Sequence, residues 1–450
     1  MSETSVETGI TRKHARLIAA GSIGTLIEYY DYYLYGLAAA AIFPTLFFAT
    51  HDATVSTLAS FATFAFGFLL RPIGGLIFGH IGDRYGRRTT LLITVIGMGI
   101  ATTAIGFLPT EKSIGSLAPI LLILCRMFQG LFVGGEMGGA ATMVVENAPK
   151  NRHGLFGALL ITGAGVASVL SSGSMALLGS GSQSFFISIG WRIPFWFALV
   201  LAIIAVILRR RISESEQFLH AQSVQAQTGI TLNPLREALR HPKNLILSIF
   251  IGLPQSISGY VLGTFGLAYM LSHGVRADIG FVAGFITGVL MIVISPLWGL
   301  TSDRFGRRKV YIFGCIALAV VVGPTFLLYS TNVPLLIWIA GGLSGILATS
   351  PMQSILQTMY VEMFDTESRT IGVNIGYQFS NTIGGGFAPL ICTALVAATH
   401  GAMWPVIIYV VVICAIGALT TLWATVEPHA VSEDRVRPLA VSIPTPLGED

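Results

Sequence analysis

Apolar positions in this chain fall in long runs, each about the length of a bilayer-crossing helix, and short clusters of Gly, Pro and charged residues punctuate them. A spanning helix needs about 20 mostly apolar residues, because it rises about 1.5 Å per residue through a hydrocarbon core about 30 Å thick. The pattern predicts helices at residues 17–43, 57–78, 90–108, 120–145, 155–178 and 191–208. A second set follows at 245–272, 279–298, 310–329, 335–359, 372–398 and 403–425. The predicted fold class is therefore an all-α polytopic membrane protein with twelve transmembrane helices.

Composition agrees. Of 450 residues, 53% are hydrophobic and 11% charged, whereas soluble domains carry about 25% charged residues. An ordinary cytosolic enzyme and a disordered chain are excluded, and nothing points to nucleic acid. Cys125, Cys315, Cys392 and Cys414 all lie in apolar runs without metal-ligand or redox spacing, so they read as small core hydrophobes. The histidines are scattered and no catalytic motif stands in context. No enzyme activity, cofactor or metal is expected. A cleaved signal peptide is also excluded, because the first apolar stretch contains Glu28 and Asp31.

Charge then orients the chain. Of 26 Lys and Arg, 21 fall on the side that holds the N-terminus, Arg71 and Arg126 lie within spans, and only Lys112, Arg192 and Arg276 fall on the other side. Positive charge stays inside, so both termini are predicted to be cytoplasmic. The chain also repeats itself. GHIGDRYGRR begins at Gly79 and GLTSDRFGRR at Gly299, 220 residues apart, each directly after the second span of a six-span set. Two six-helix halves are predicted, 1–208 and 245–426, joined by a polar linker at 209–244 and followed by a tail at 427–450.

Ionisable groups inside the hydrocarbon cost about 3 kcal/mol or more each and mark function by default. Glu28, Asp31, Arg71, Arg126 and Glu136 qualify. Asp31 lies about 21 Å in from one face and Arg126 about 9 Å in from the other, which is the same depth. Arg71 and Glu136 share a depth too. The spacing predicts two pairs, Asp31 with Arg126 and Arg71 with Glu136, and leaves Glu28 one turn from Asp31. Neighbouring carboxylates at low dielectric oppose each other's ionisation, so either Glu28 or Asp31 is a candidate proton carrier; the alternative is a static ion pair.

The second half offers neutral polar faces instead: Gln255, Ser256, Ser258 and Tyr260, then Gln353 and Gln357, then Asn374, Tyr377, Gln378 and Asn381. With Tyr32, Gln129 and the first-half charges they form the candidate substrate-binding set. Bonding between helices explains any one of them equally well. Tyr29, Tyr32 and Tyr33 form a stripe that either cages a cation or packs, packing being the commoner use. The glycine runs from Gly134, Gly163 and Gly384 read as surfaces for close helix approach.

The loop motif, together with EYYDYYLYG from Glu28, RPIGGLIFGHIGDRYGRR from Arg71, RMFQGLFVGGE from Arg126, GWRIPF from Gly190 and GVNIGYQFSNTIGGGFAPL from Gly372, resembles the major facilitator superfamily. Within it the chain is similar to the metabolite:proton symporter family, and LASFATFAFGFLLRPIGGLIFGHIGDR and VENAPKN look closest to its shikimate transporter branch. The resemblance implies alternating access, with gating charges at Asp83, Arg84, Arg88, Glu146 and Arg152 and their counterparts Asp303, Arg304, Arg308, Glu362 and Arg369. Arg87 and Arg307 are equally well explained as anchors that set orientation. Proton-coupled relatives place a first-helix acid opposite a fourth-helix arginine, which favours Asp31 over Glu28 as carrier.

The expected function is proton-coupled import of a small hydrophilic carboxylate such as shikimate, across a bacterial inner membrane, by a monomer whose partners are the organic acid, protons and lipid. Uptake of betaine or proline is the rival reading, set back by a tail with four prolines and no heptads. A non-transporting sensor ranks lower.

Overall fold

The computed structural model describes residues 12–134, 137–149, 151–209, 239, 242–365 and 369–424, except the side chains of residues 13, 79–80, 82–85, 87–88 and 137–138. In the first half α1 is Arg12–Ala41, α2 joins Ala53–Leu69 to Arg71–Tyr85, α3 is Arg87–Phe107, α4 joins Leu117–Val133 to Met137–Glu146, α5 is His153–Gly179 and α6 is Arg192–Arg209. In the second, α7 is Pro242–Ser272, α8 Ala277–Phe305, α9 Arg307–Tyr329, α10 Pro334–Met363, α11 Arg369–Ala398 and α12 Trp404–Trp423. Each overlaps a run read from the sequence. The linker and tail lie almost wholly outside the described residues.

Among the described residues, ten of these helices are long and apolar enough to cross a membrane. The two that fall short, α1 and α4, carry the buried Asp31 and Arg126. Glu28, Asp31 and five tyrosines lower the hydropathy of α1, and α4 is described as two shorter pieces, Leu117–Val133 and Met137–Glu146.

The halves pack by one scheme. α1 lies on α5, α2 on α4 and α3 on α6; correspondingly α7 lies on α11, α8 on α10 and α9 on α12. Between halves, α5 packs along α8 and α2 along α11, again equivalent pairs. The repeat reaches the backbone dihedrals. Gly86 and Gly306, at matching positions of the two loop motifs, have φ 95°, ψ 147° and φ 96°, ψ 144°. Only glycine adopts that region at little cost.

α7, α10 and α11 each contain a π-helical turn, at Tyr260–Phe265, Gly345–Thr349 and Asn381–Gly386. Such turns widen a helix locally and recur at functional sites. Two of them begin at site candidates, Tyr260 and Asn381.

Candidate functional site

α1 stands where the halves meet, touching α5 and α6 on one side and α7 on the other. Glu28, Tyr29, Tyr30, Asp31 and Tyr32 are all buried there. α4 approaches α2 closely because glycines face each other: a Cβ on Gly130 would run into the carbonyl of Gly67, and one on Gly67 into the Arg126 side chain.

The pair expected from depth is present. Arg126 Nη1 donates to Asp31 Oδ2 at 2.8 Å. The other carboxylate oxygen accepts from Thr102 Oγ1 of α3 at 2.7 Å and from Gln129 Nε2. Gln129 stands one turn from Arg126, accepts from its Nη1 at 3.1 Å and donates to Thr102 Oγ1 at 2.9 Å. The guanidinium lies over Tyr35 and Phe64, 4.2 and 5.0 Å from their ring centres. At 1–2% exposure for Asp31 and Arg126, the ions are desolvated, and removing one leaves the other uncompensated.

Glu136, the expected partner of Arg71, lies outside the described residues. Arg71 is 1% exposed, with its guanidinium carbon 3.4 Å from the Phe68 ring centre and 3.9 Å from that of Tyr32. Tyr32 donates its hydroxyl to Glu28. Among the described residues, Nε and Nη1 of Arg71 have no hydrogen-bond partner. A buried guanidinium with free donors is suited to an anion.

The neutral polar residues divide. Asn374 and Gln378 reach across to the first half, where the Gly134 carbonyl, next after Leu117–Val133, accepts from both, at 3.1 and 3.4 Å. Tyr377 donates across to the Tyr29 hydroxyl at 3.2 Å. Gln255, Ser256, Tyr260, Gln353 and Asn381 line a water-sized cavity with Tyr29 and Tyr33. Gln255, Gln353 and Gln357 each keep a buried amide oxygen with no hydrogen-bond partner among the described residues. Buried acceptors rarely stay empty. The tyrosine stripe packs on itself, Tyr29 lying 5.7 and 5.6 Å from Tyr32 and Tyr33 between ring centres.

At the loop-motif end, Asp303 accepts the backbone N–H of Gly154 and Leu155 at 2.8 and 2.9 Å, so α8 caps the start of α5 across the halves. Arg307 bridges Asp303 at 3.0 Å and Glu362 at 3.2 Å, and His153 Nδ1 lies 3.7 Å from Glu362. Glu146 of α4 meets Arg369 of α11 at 2.5 Å. Arg304 stays outside this cluster, exposed beside Phe305. Arg308 donates to the Ala424 carbonyl beyond α12, and Arg152 precedes α5, half-buried. The side chains of Asp83, Arg84 and Arg88 lie outside the described residues.

Sequence reasoning left Arg307 undecided and passed over Thr102 and His153. For Arg307 the signal was its i, i+4 spacing from Asp303. A threonine in an apolar run gives no signal.

The major facilitator superfamily model matches residues 21–294 and 245–448. The shikimate transporter of Escherichia coli K12 is 38% identical over 92% of this chain and 96% of its own. The proline/betaine transporter of Salmonella typhimurium LT2 is 35% identical over 93% and 84%. In fold, the chain matches the xylose transporter XylE from E. coli in its partially occluded inward-open conformation with a TM-score of 0.71, at 17% identity, over 92% of this chain and 97% of that one. With its two packed halves, its repeated loop motif and these relatives, the chain belongs to the major facilitator superfamily and is a multi-pass membrane transporter.

Proposed function

We propose that this transporter imports a small hydroxylated carboxylate, shikimate or a close relative, together with protons, and that its loop-motif end faces the cytoplasm. The observation that carries this reading is the buried Asp31–Arg126 pair at 2.8 Å. A proton arriving from outside neutralises the Asp31 carboxylate and releases half of the hold on Arg126, whose positive charge is then balanced by an anionic substrate. Loss of that proton to the inside restores the ion pair and expels the anion. Arg71 supplies a second cationic donor surface, and the empty amide oxygens of Gln255 and Gln353 accept substrate hydroxyls.

Gradient-driven uptake of labelled shikimate into proteoliposomes tests the proposal. Asp31→Asn is expected to abolish accumulation against a gradient while leaving exchange of shikimate across the vesicle intact. Full accumulation by that variant would remove Asp31 from coupling, and no transport of shikimate by the unaltered protein would remove the substrate.

The likeness to a proline/betaine transporter supports a second reading. A quaternary ammonium needs open aromatic faces, and those of Tyr32 and Phe68 are taken by Arg71. Competition of labelled shikimate uptake by betaine, against quinate as a hydroxylated control, separates the two.

A further inference from the structure

Thr102 of α3 belongs to none of the polar faces above, yet it touches the carboxylate on which the proposed coupling turns. Its hydroxyl carries one proton and stands between two acceptors, Asp31 Oδ1 at 2.7 Å and the Met98 carbonyl of its own helix at 2.8 Å. Its oxygen also accepts from Gln129 Nε2 at 2.9 Å. The residue is 2% exposed and, with Asp31 and Met98, lines a small cavity of about the size of one water.

The two acceptors suit the two states of the carboxylate. When Asp31 is ionised, the Thr102 proton points at Oδ1 in a charge-assisted bond. When Asp31 holds a proton, the hydroxyl turns to the Met98 carbonyl and its lone pair takes the carboxyl O–H. Thr102 and Asp31 share one hydrogen bond in either state, but the bond to a charged acceptor is the stronger. We infer that Thr102 is a positioning residue for proton coupling, a hydroxyl rotor that holds Asp31 in one place through both protonation states and sets the pH at which it gives up its proton.

The inference rests on Asp31 being the coupling group, and the test separates the two ideas. Infrared difference spectra of the purified full chain, titrated without substrate, report buried carboxylic acids through their carbonyl stretch; the band that disappears in Asp31→Asn belongs to Asp31. Thr102→Val keeps the shape and removes the hydroxyl. It is expected to move the midpoint of that band upward by about one pH unit, from the difference between a charged and a neutral hydrogen bond. Thr102→Ser restores the original midpoint, and Thr102→Ala serves if the valine variant folds poorly. In vesicles the external pH for half-maximal uptake shifts the same way. An unmoved midpoint in both valine and alanine variants overturns the role of Thr102 and leaves Asp31 in place. A titration with no band sensitive to Asp31→Asn overturns both.

Discussion

Arg126 is held in the bundle by a carboxylate, an amide oxygen and two aromatic faces at once. Its loss should therefore cost more than one contact. Arg126→Gln alone leaves a buried Asp31 charge uncompensated and is expected to destabilise the protein by about 3–5 kcal/mol. Asp31→Asn with Arg126→Gln removes both charges and should recover most of that loss. Thermal unfolding in detergent, run as a double-mutant cycle, reads the coupling directly; a double variant that loses the sum of the two single losses would mean the pair contributes little. This pair was legible in the sequence because depth can be counted from both ends of two separate helices. Thr102 was not, since its importance comes from neighbours 71 and 27 residues away. Arg307 was half legible: its charge satisfies orientation in any structure, and only the packing of α10 against α8 and α9 brings Glu362 to it.

Helix positions followed from the apolar runs, while the irregularities inside helices did not. A π-helical turn keeps the same residues in the same order and changes only which carbonyl each N–H meets, so no periodicity announces the turns in α7, α10 and α11. The close crossing of α2 and α4 was foreshadowed by glycines, and it gives a sharp prediction. In Gly130→Ala the new methyl meets the Gly67 carbonyl, backbone that cannot swing aside. A loss of about 1–3 kcal/mol is expected, seen as a lower unfolding temperature, and an unchanged temperature would show that the helices slide apart freely.

At the loop-motif end, Arg307→Gln cuts the links to Asp303 and Glu362 together. Thr358, whose hydroxyl donates to the His153 carbonyl across the halves at 3.2 Å, then becomes reachable. In a background without the native cysteines, Thr358→Cys is expected to react with a maleimide at least tenfold faster once Arg307 is replaced. No acceleration would place the gate elsewhere.

For the molecule as a whole, the two halves exchange equivalent contacts, α5 on α8 and α2 on α11. Glycine permits close approach in each, Gly165 against Gly288 in the first and Gly386 against the Phe68 side chain in the second. Glycine surfaces of this kind would suit halves that rock around a central site, the motion internal repeats imply. Which side faces the cytoplasm is checked from intact cells: an impermeant maleimide should label Ser113→Cys and spare Ser432→Cys, and the reverse pattern would invert the proposed direction of import. The twofold arrangement was legible from a ten-residue motif used twice. The cross-half grip of Asn374 and Gln378 on Gly134 was not, because it depends on how α11 packs against α4, more than 200 residues away in the chain.

The poor hydropathy of α1 has a consequence for how the protein is made. Asp31 and Arg126 are 95 residues apart, so at about 5–20 residues per second the ribosome delivers α1 some 5–20 seconds before its counter-charge. During that interval the helix holds acids that the lipid disfavours and that nothing yet neutralises. α1 is therefore expected to settle only when α4 emerges, so that the first half completes its insertion as a unit around the same ion pair on which the proposed coupling turns.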